Sequence, residues 1–260
     1  MIFLKLGGSL ITDKSRPETP RLKVIARLTT EIAHAFNQRH DLRLILGHGS
    51  GSFGHPPASR HKTHLGAASQ AEWIGFAEVW SAAQRLNRMV IDHLIECGLP
   101  AIAFPPSSSA ISKDHVILEM ALEPIKRALD VGLLPVVHGD VAFDLTRGGT
   151  IISTEKVFAY MASQIRPDRI LLAGLDPGVY IDFPDSKEIF ATITEEDVPK
   201  IKFKKADAPD VTGGMWSKVQ EALALAREYP GLEVRIFSGE EPGAVANALL
   251  DGKPGTLITM

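Results

Sequence analysis

Apolar positions along the chain recur in two rhythms. Short runs at Ile2 to Leu6, Leu42 to Leu46, Ala101 to Phe104, Leu133 to Val137 and Arg169 to Ala173 predict strands. Between them lie stretches with three- and four-residue spacing. Leu22, Ile25, Leu28, Ile32 and Phe36 mark one helix. Phe76, Val79, Ala83, Leu86, Val90 and Leu94 mark the apolar face of a long helix over Ala67 to Glu96, with Gln84, Arg85, Arg88 and Asp92 elsewhere on its surface. The pattern also predicts a helix from Leu118 to Val131, a β-hairpin from Val141 to Ile152 turning near Arg147-Gly148-Gly149, and a helix from about Thr154 to Gln164. Asp176-Pro177-Gly178 reads as a turn before Val179-Tyr180-Ile181. A helix from Met215 to Arg227, a strand from Glu233 to Phe237, a helix from Pro242 to Leu249 and a strand from Thr256 to Thr259 follow.

Strands that alternate with helices indicate an α/β fold with a mostly parallel sheet. No repeat and no low-complexity linker interrupts the alternation. Arg166-Pro167-Asp168 is the expected seam between two lobes, too short for a flexible tether.

Composition narrows the function. The chain has 260 residues, with 28 Lys+Arg against 31 Asp+Glu and a formal net charge of -3. That balance gives no electrostatic reason to expect nucleic acid or an anionic membrane as partner. No apolar stretch reaches the length of a membrane span, and the N-terminal residues read as a strand and not as a signal peptide. Cys97 is the one cysteine, which rules out an intrachain disulfide and a cysteine-rich zinc site and fits a reducing, cytoplasmic setting.

Three clusters carry the candidate chemistry. The first is Lys5-Leu6-Gly7-Gly8-Ser9, with Lys14 nearby. A lysine inside an apolar strand is costly to bury unless it meets an anion. Gly7 and Gly8 let backbone N–H groups approach a ligand, and Ser9 adds a hydroxyl, so the segment fits a phosphate cradle. On the residues alone it fits equally well a lysine that emerges into solvent beside a glycine turn.

The second cluster runs from Gly47 to His55, with four glycines and two serines in its first eight residues. Gly49, Ser50 and Gly54 can present donors to phosphate, and His55 ends the run where its imidazole could donate to a phosphate oxygen. The cluster also satisfies G-x-G-x-x-G, the dinucleotide fingerprint. Against that reading, Pro56-Pro57 is expected to interrupt the helix the fingerprint needs, Glu72 falls inside a helix, and the loop follows the second strand. The common P-loop and the protein-kinase signatures are absent. His61 and His64 sit three residues apart, but no third metal ligand accompanies them, and no metal site is expected.

The third cluster is Asp210-Val211-Thr212-Gly213-Gly214-Met215, with Lys218 one turn further on. Thr212 suits an N-cap. A lysine in a first helical turn opposes the helix dipole, and a bound anion reverses that penalty. A solvated surface lysine is the alternative.

These clusters appear in the order found in the amino acid kinase superfamily, which the chain resembles from Ile2 to Thr259. Lys5-Leu-Gly-Gly-Ser is similar to its opening strand and phosphate loop. Leu171-Leu-Ala-Gly-Leu-Asp-Pro-Gly-Val-Tyr180 is similar to its nucleotide signature, and Asp210 to Met215 with Lys218 to its late ATP-binding helix. The resemblance implies a three-layer αβα sandwich, with an acceptor lobe at about residues 1–166 and a nucleotide lobe at about 167–260. Within the superfamily, Gly51-Ser-Phe-Gly-His55 and the segment from Lys5 to Lys14 most resemble the isopentenyl phosphate kinases. Fosfomycin-type kinases can share the histidine; kinases of carboxylates usually lack it.

The resemblance implies ATP and Mg²⁺ as cofactors and isopentenyl phosphate as the small-molecule substrate of a homodimer. It implies catalytic roles for Lys14, Lys5 and His55, and ATP contacts from Lys5, Gly7, Gly8, Ser9, Ser50, Asp176, Gly178, Gly214 and Lys218. Gly49, Gly54 and His55 would meet the acceptor phosphate. Phe76 and Val79, one turn apart, could offer its tail an apolar slot or could simply pack the core. One departure stands out: where the superfamily commonly has Ser-Gly-Asp, this chain has Ser153-Thr154-Glu155. The acid that organises the lysines is therefore Glu155, Asp140 or Asp144. The competing functions are a kinase of another small acid or phosphonate, of fosfomycin or acetylglutamate type, and a non-catalytic nucleotide-binding protein.

Overall fold

Strand β1 (Ile2–Leu6) is buried along its whole length, and its alternation decides what lies on each side of the sheet. Ile2, Leu4 and Leu6 enter one core and Phe3 the other. Lys5 therefore points to the side of Phe3. The computed structural model describes residues 1–182, 187–201 and 214–260. Thr212, read as an N-cap, and Asp210 to Gly213 lie outside the described residues.

The other strands are β2 (Leu44–His48), β3 (Ala101–Ala103), β4 (Ala110–Lys113), β5 (Val116–Met120), β6 (Leu134–His138), β7 (Asp140–Asp144), β8 (Gly148–Ile152), β9 (Arg169–Gly174), β10 (Thr192–Ile193), β11 (Glu233–Ser238) and β12 (Thr256–Ile258). The helices are α1 (Gly8–Ile11), α2 (Leu22–Gln38), α3 (Gly51–His61), α4 (Gln70–Glu96), α5 (Glu123–Asp130), α6 (Thr154–Ile165), α7 (Gly214–Glu228) and α8 (Ala244–Leu249). Eight strands form one sheet in the order β10-β12-β11-β9-β1-β2-β6-β3. Its pairings are parallel except β11 with β12. On one face Ile25 and Ile32 of α2, Leu86 and Val90 of α4 and Val245 of α8 pack against β1 and β2. On the other lie Ile125 of α5, Val157 and Phe158 of α6 and Val219 of α7. The fold is the expected three-layer α/β sandwich. A second sheet, β5-β4-β7-β8, carries the expected hairpin in β7 and β8.

Three expectations need correction. Leu118 to Val131 is not one helix: β4 and β5 form a hairpin, and only Glu123–Asp130 is helical. Asp114 and His115 both have left-handed backbone, with φ of 49° and 69°, which suits a two-residue hairpin turn. Ile117 and Met120 are buried while Val116 and Leu118 are exposed, an irregular alternation that mimics helical spacing. Nor does Pro56-Pro57 break a helix. Helix α3 starts at Gly51 and runs through both prolines to His61. The long helix α4 starts later than expected, at Gln70, because Ser69 and Glu72 form a capping box.

Gly47 of β2 pairs with Lys5 in the register of the sheet. A Cβ there would lie 2.6 Å from Phe158 Cζ and 2.6 Å from Thr154 Cγ2, both on α6. Gly47→Ala should therefore overpack this contact and cost about 1–3 kcal/mol of unfolding free energy. Urea denaturation measures it, and an unchanged midpoint would mean that α6 yields freely.

Candidate active site

The chain leaves β1 toward β2 on one side and later returns to add β9 on the other. Loops at the carboxyl ends of β1 and β9 diverge at such a reversal and leave a crevice. A cavity of ≈ 690 Å³ opens there. It is lined by the loops after β1, β2 and β9, the first turns of α3, α6 and α7, and the middle of α4.

The two glycine loops touch backbone to backbone. A Cβ on Gly8 would lie 2.5 Å from Gly51 N, and one on Gly49 would lie 2.7 Å from Gly8 N. Side chains at either place would force the loops apart. Gly51 has φ +48°, and a Cβ there would sit 2.1 Å from Thr12 Oγ1. The glycines thus bring the starts of α1 and α3 to one wall of the cavity. Helix starts carry N–H groups without intrahelical partners and a partial positive charge.

Cations and acids converge on this wall. Lys5 is buried and its Nζ donates to Glu155 Oε1 on α6. The reading of Lys5 as a solvent-facing strand end is set aside by this pair. Burial opposes the charge on Glu155, but Lys5, with help from Lys218, overcomes it and holds the carboxyl below the usual range. Burial pushes the ammonium of Lys218 downward, and the charges of Lys5 and Lys14 add to the push against Glu155 and Asp176. Lys14 and Asp176 line the same cavity. The lining carries Lys5, Lys14, Arg147, Lys156 and Lys218 against Asp140, Glu155, Asp176 and Glu221, a slight local excess of cations inside a chain of net charge -3.

Of the sequence-derived candidates, Lys5, Gly7, Gly8, Ser9, Lys14, Gly49, Ser50, Gly54, His55, Val79, Asp140, Glu155, Asp176 and Lys218 line this one cavity. Four do not. Phe76 packs against Trp73 and Phe143 and over Gly149, where a Cβ would lie 2.7 Å from its ring, so it fills core and not the slot. Asp144 serves its hairpin: Ser112 Oγ and the N–H groups of Asp114, His115, Thr146 and Arg147 all donate to it. Burial opposes its charge, yet those N–H groups hold the carboxyl far below the usual range. Gly178 lies against Thr256, and Gly214 opens α7 with φ +64°. Among the acids, Glu155 is the one bonded to a lysine of the cavity.

The cavity also holds residues that pattern reading missed. One is Ala58, which shares a face of α3 with Gly51, Gly54 and His55, a spacing hidden by the expectation that the prolines interrupt the helix. Ala83 follows Val79 by one turn on α4, and Glu221 follows Lys218 by three residues on α7; both spacings are legible in hindsight. Burial raises the Glu221 carboxyl, and Glu155 raises it further. His115 reaches the cavity from the turn between β4 and β5, a hairpin that the apolar pattern does not predict.

Below the cavity the ends of β2 and β6 carry a buried polar layer. The His48 and His138 rings stack with centroids 5.3 Å apart. His48 Nε2 contacts Asn87 Oδ1 at 3.1 Å, and Gln84 Nε2 lies 3.4 Å from both His138 Nε2 and Asp140 Oδ2. Thr154 Oγ1 donates to His48 O at 2.7 Å, and Ser50 Oγ to Gly139 O at 3.0 Å. Burial lowers both imidazoles to about 4, the neighbouring His138 adding to the effect on His48. Burial likewise raises Asp140 to about 6, against the N–H donors of Ser107 and Val141.

Comparison with known proteins is consistent along the chain. The model of the amino acid kinase family matches residues 1–238. An isopentenyl phosphate kinase of Methanocaldococcus jannaschii is 33% identical over 266 residues, covering 99% of this chain and 98% of that protein. One of Haloferax volcanii is 34% identical over 259 residues, covering 99% and 98%. A crystallographic isopentenyl phosphate kinase superposes with a TM-score of 0.85 at 30% identity, covering 100% of both chains.

The buried histidines fix a pH dependence of stability. Their folded values of about 4 lie below the ordinary 6.5, so the unfolded chain binds more protons between them. Their contribution is present above pH 6.5 and is lost as pH falls toward 4. Asp140, raised to about 6, acts in the opposite sense between its ordinary value and pH 6, but two histidines outweigh one carboxyl. Urea midpoints should fall from pH 7 to about pH 4.5, and His138→Gln should flatten that fall. A flat wild-type profile would refute the assignment.

Proposed function

The chain belongs to the amino acid kinase family, and on that footing we propose that it phosphorylates isopentenyl phosphate, using ATP, to give isopentenyl diphosphate and ADP. One observation carries the reading. Lys5, Lys14, Lys218 and His55 line a single cavity whose lining also includes the apolar side chains of Ala58, Leu65, Val79, Ala83 and Ile151. A site for two polyanions and a short alkyl tail needs that combination.

A phosphomonoester has a second pKa near ~6, so its attacking oxygen is largely deprotonated at neutral pH. No strong general base is needed. An acceptor oxygen attacks the γ-phosphorus, the bond to the β-phosphate oxygen breaks, and ADP leaves. Catalysis of such a transfer rests on positioning and on stabilising charge. In this reading Lys14 meets the transferring phosphoryl group, Lys5 bridges the phosphates, and Lys218 holds the ATP phosphates with Gly8 and Ser9. Glu155 is the organising acid in place of aspartate: it fixes Lys5 and stays ionised between two lysines. His55 and Gly54, in the first turns of α3, would bind the acceptor phosphate beside a helix start that favours anions. Ala58, Val79, Ala83 and Ile151 would line the tail slot, with Phe76 behind them.

Among the described residues no cluster of three metal-ligating side chains occurs. That suits Mg²⁺ held mainly by phosphate oxygens and water. When bound, the ion would neutralise charge on the ATP phosphates. We further propose an acceptor lobe at about residues 1–166 and a nucleotide lobe at about 167–260. A cytoplasmic homodimer completes the reading. Exposed Ile74, Trp80 and Ile95 on α4 support a partner on that helix, and no helix among the described residues is long and apolar enough to cross a membrane.

An acceptor panel tests the substrate. Isopentenyl phosphate should be phosphorylated far faster than fosfomycin or acetylglutamate; preference for either of the others would redirect the assignment, and ATP binding without turnover on any acceptor would favour a binding protein. Lys14→Ala should lower kcat by roughly 100-fold or more, in line with losing one charge-stabilising group, with little change in KM for ATP. An unchanged kcat would remove Lys14 from the mechanism. His55→Ala should instead raise KM for isopentenyl phosphate and leave KM for ATP near wild type. Untouched acceptor kinetics would detach His55 from the acceptor phosphate.

A further inference from the structure

Lys14 sits on the segment Thr12 to Pro20, which has no helix or strand of its own beyond an isolated bridge between its ends. Such a segment needs outside support to hold a side chain in place. Ser52, buried in the first turn of α3, supplies it with all three of its polar groups. Its N–H donates to Thr12 Oγ1 at 2.9 Å. Its Oγ accepts from Thr19 N at 3.1 Å. Its carbonyl accepts from Glu18 N at 2.9 Å.

Each bond has a local cause. The N–H groups of a helix's first turn have no intrahelical partner, so Ser52 N is free to find Thr12. A carbonyl at that place ordinarily accepts from the residue four positions on. Here that residue is Pro56, which has no N–H, and the Ser52 carbonyl is released to Glu18. Thr12, itself buried, passes the link onward: its hydroxyl donates to Gly8 O at 2.7 Å while accepting from Ser52. Glu18 holds a left-handed backbone with φ 47°, uncommon for a residue with a side chain. Its carboxylate takes two bonds from Arg85 of α4, at 2.6 and 3.0 Å. Asp13 N bonds Thr19 O at 2.9 Å and closes the segment into a loop around Lys14.

We propose that Thr12 and Ser52 are positioning residues: they latch the loop bearing Lys14 to the helix bearing His55, and so set the lysine against the acceptor phosphate during transfer. The proposal rests on the reading of Lys14 as the lysine that meets the transferring group. Neither latch residue touches a reacting atom; Thr12 and Ser52 do not line the cavity, whereas Lys14 and His55 do. Misplacing a catalytic group by about 1 Å can cost about 100-fold in rate. Loss of the latch should therefore appear in kcat and leave binding alone.

The experiment is steady-state kinetics on Thr12→Val and Ser52→Ala, each also placed in the Lys14→Ala background, with thermal melts alongside. Thr12→Val keeps the shape but removes the hydroxyl, and Ser52→Ala spares the backbone bonds. Each should lower kcat by roughly 10- to 100-fold while both KM values stay within about three-fold. Thr12→Ser should restore most of the rate. In the Lys14→Ala background the same substitutions should change kcat by less than about two-fold, because the lysine they position is gone. An unchanged kcat in both single variants would overturn the latch. So would an equal further loss in the Lys14→Ala background, which would mark a general structural role. If Lys14→Ala itself kept wild-type kcat, the reading of Lys14 would fall and the latch with it, an outcome distinct from the other two.

Discussion

The buried ion pair of Lys5 with Glu155 decides where the other groups of the cavity stand. A strand that alternates Ile2, Leu4 and Leu6 to one side must send residue 5 to the other, into a wall of α6 and α7. An ammonium placed there without a partner would be costly to keep charged. Glu155, in the first turn of α6, answers it. Against its burial, the carboxylate is held ionised chiefly by Lys5, and Lys218 on α7 adds to the effect. Three elements that are distant in sequence are tied at one point, and the remaining positive charge faces the cavity. An arrangement that is unfavourable when empty gains from any polyanion that enters.

The glycines solve a steric problem that the charges create. Phosphate groups need backbone donors close to the lysines, and two loops must share that space. Gly8 and Gly49 let the loops after β1 and β2 meet backbone to backbone. The lysine of the strand and the donors of the loops then belong to one wall. The parallel order around β1 brings a third loop, after β9, to the opposite side with Asp176.

Much of this was legible in the sequence, for identifiable reasons. The apolar runs gave the strands of the main sheet except the two-residue β10 to within a residue or two, because buried strands are continuous apolar segments. The glycine–lysine clusters marked the residues that line the cavity but left Lys5 open between a phosphate cradle and a solvent-facing strand end, which its buried pair with Glu155 decides. What was not legible involved partners distant in sequence. Nothing near Lys5 announces Glu155, and the Ser153-Thr154-Glu155 departure left three acids open. Phe76 and Val79 share a helical stripe but differ in what they face, which depends on Gly149 of the second sheet. The β4–β5 hairpin was hidden because its turn is Asp114-His115, without the glycine that usually marks one.

Helix α3 runs through Pro56-Pro57 although prolines ordinarily interrupt a helix. Proline removes an N–H and leaves a carbonyl unpaired in the preceding turn. Near a helix start that loss is tolerated if another donor takes the carbonyl, and Glu18 does so at Ser52. The helix survives, and its continuity gives the cavity its polarity. Gly51, Gly54 and His55 occupy the start of one face, where the helix dipole favours an anion. Ala58 lies on the same face about 10 Å further along than Gly51, at the 1.5 Å rise of an α-helix. The cavity face of a single helix therefore presents its N-terminus with His55 and then apolar Ala58, in the order in which a phosphorylated alkyl chain would meet them. The spacing between those ends is fixed by the backbone. A helix broken at the prolines would lose that order even with every cavity residue unchanged.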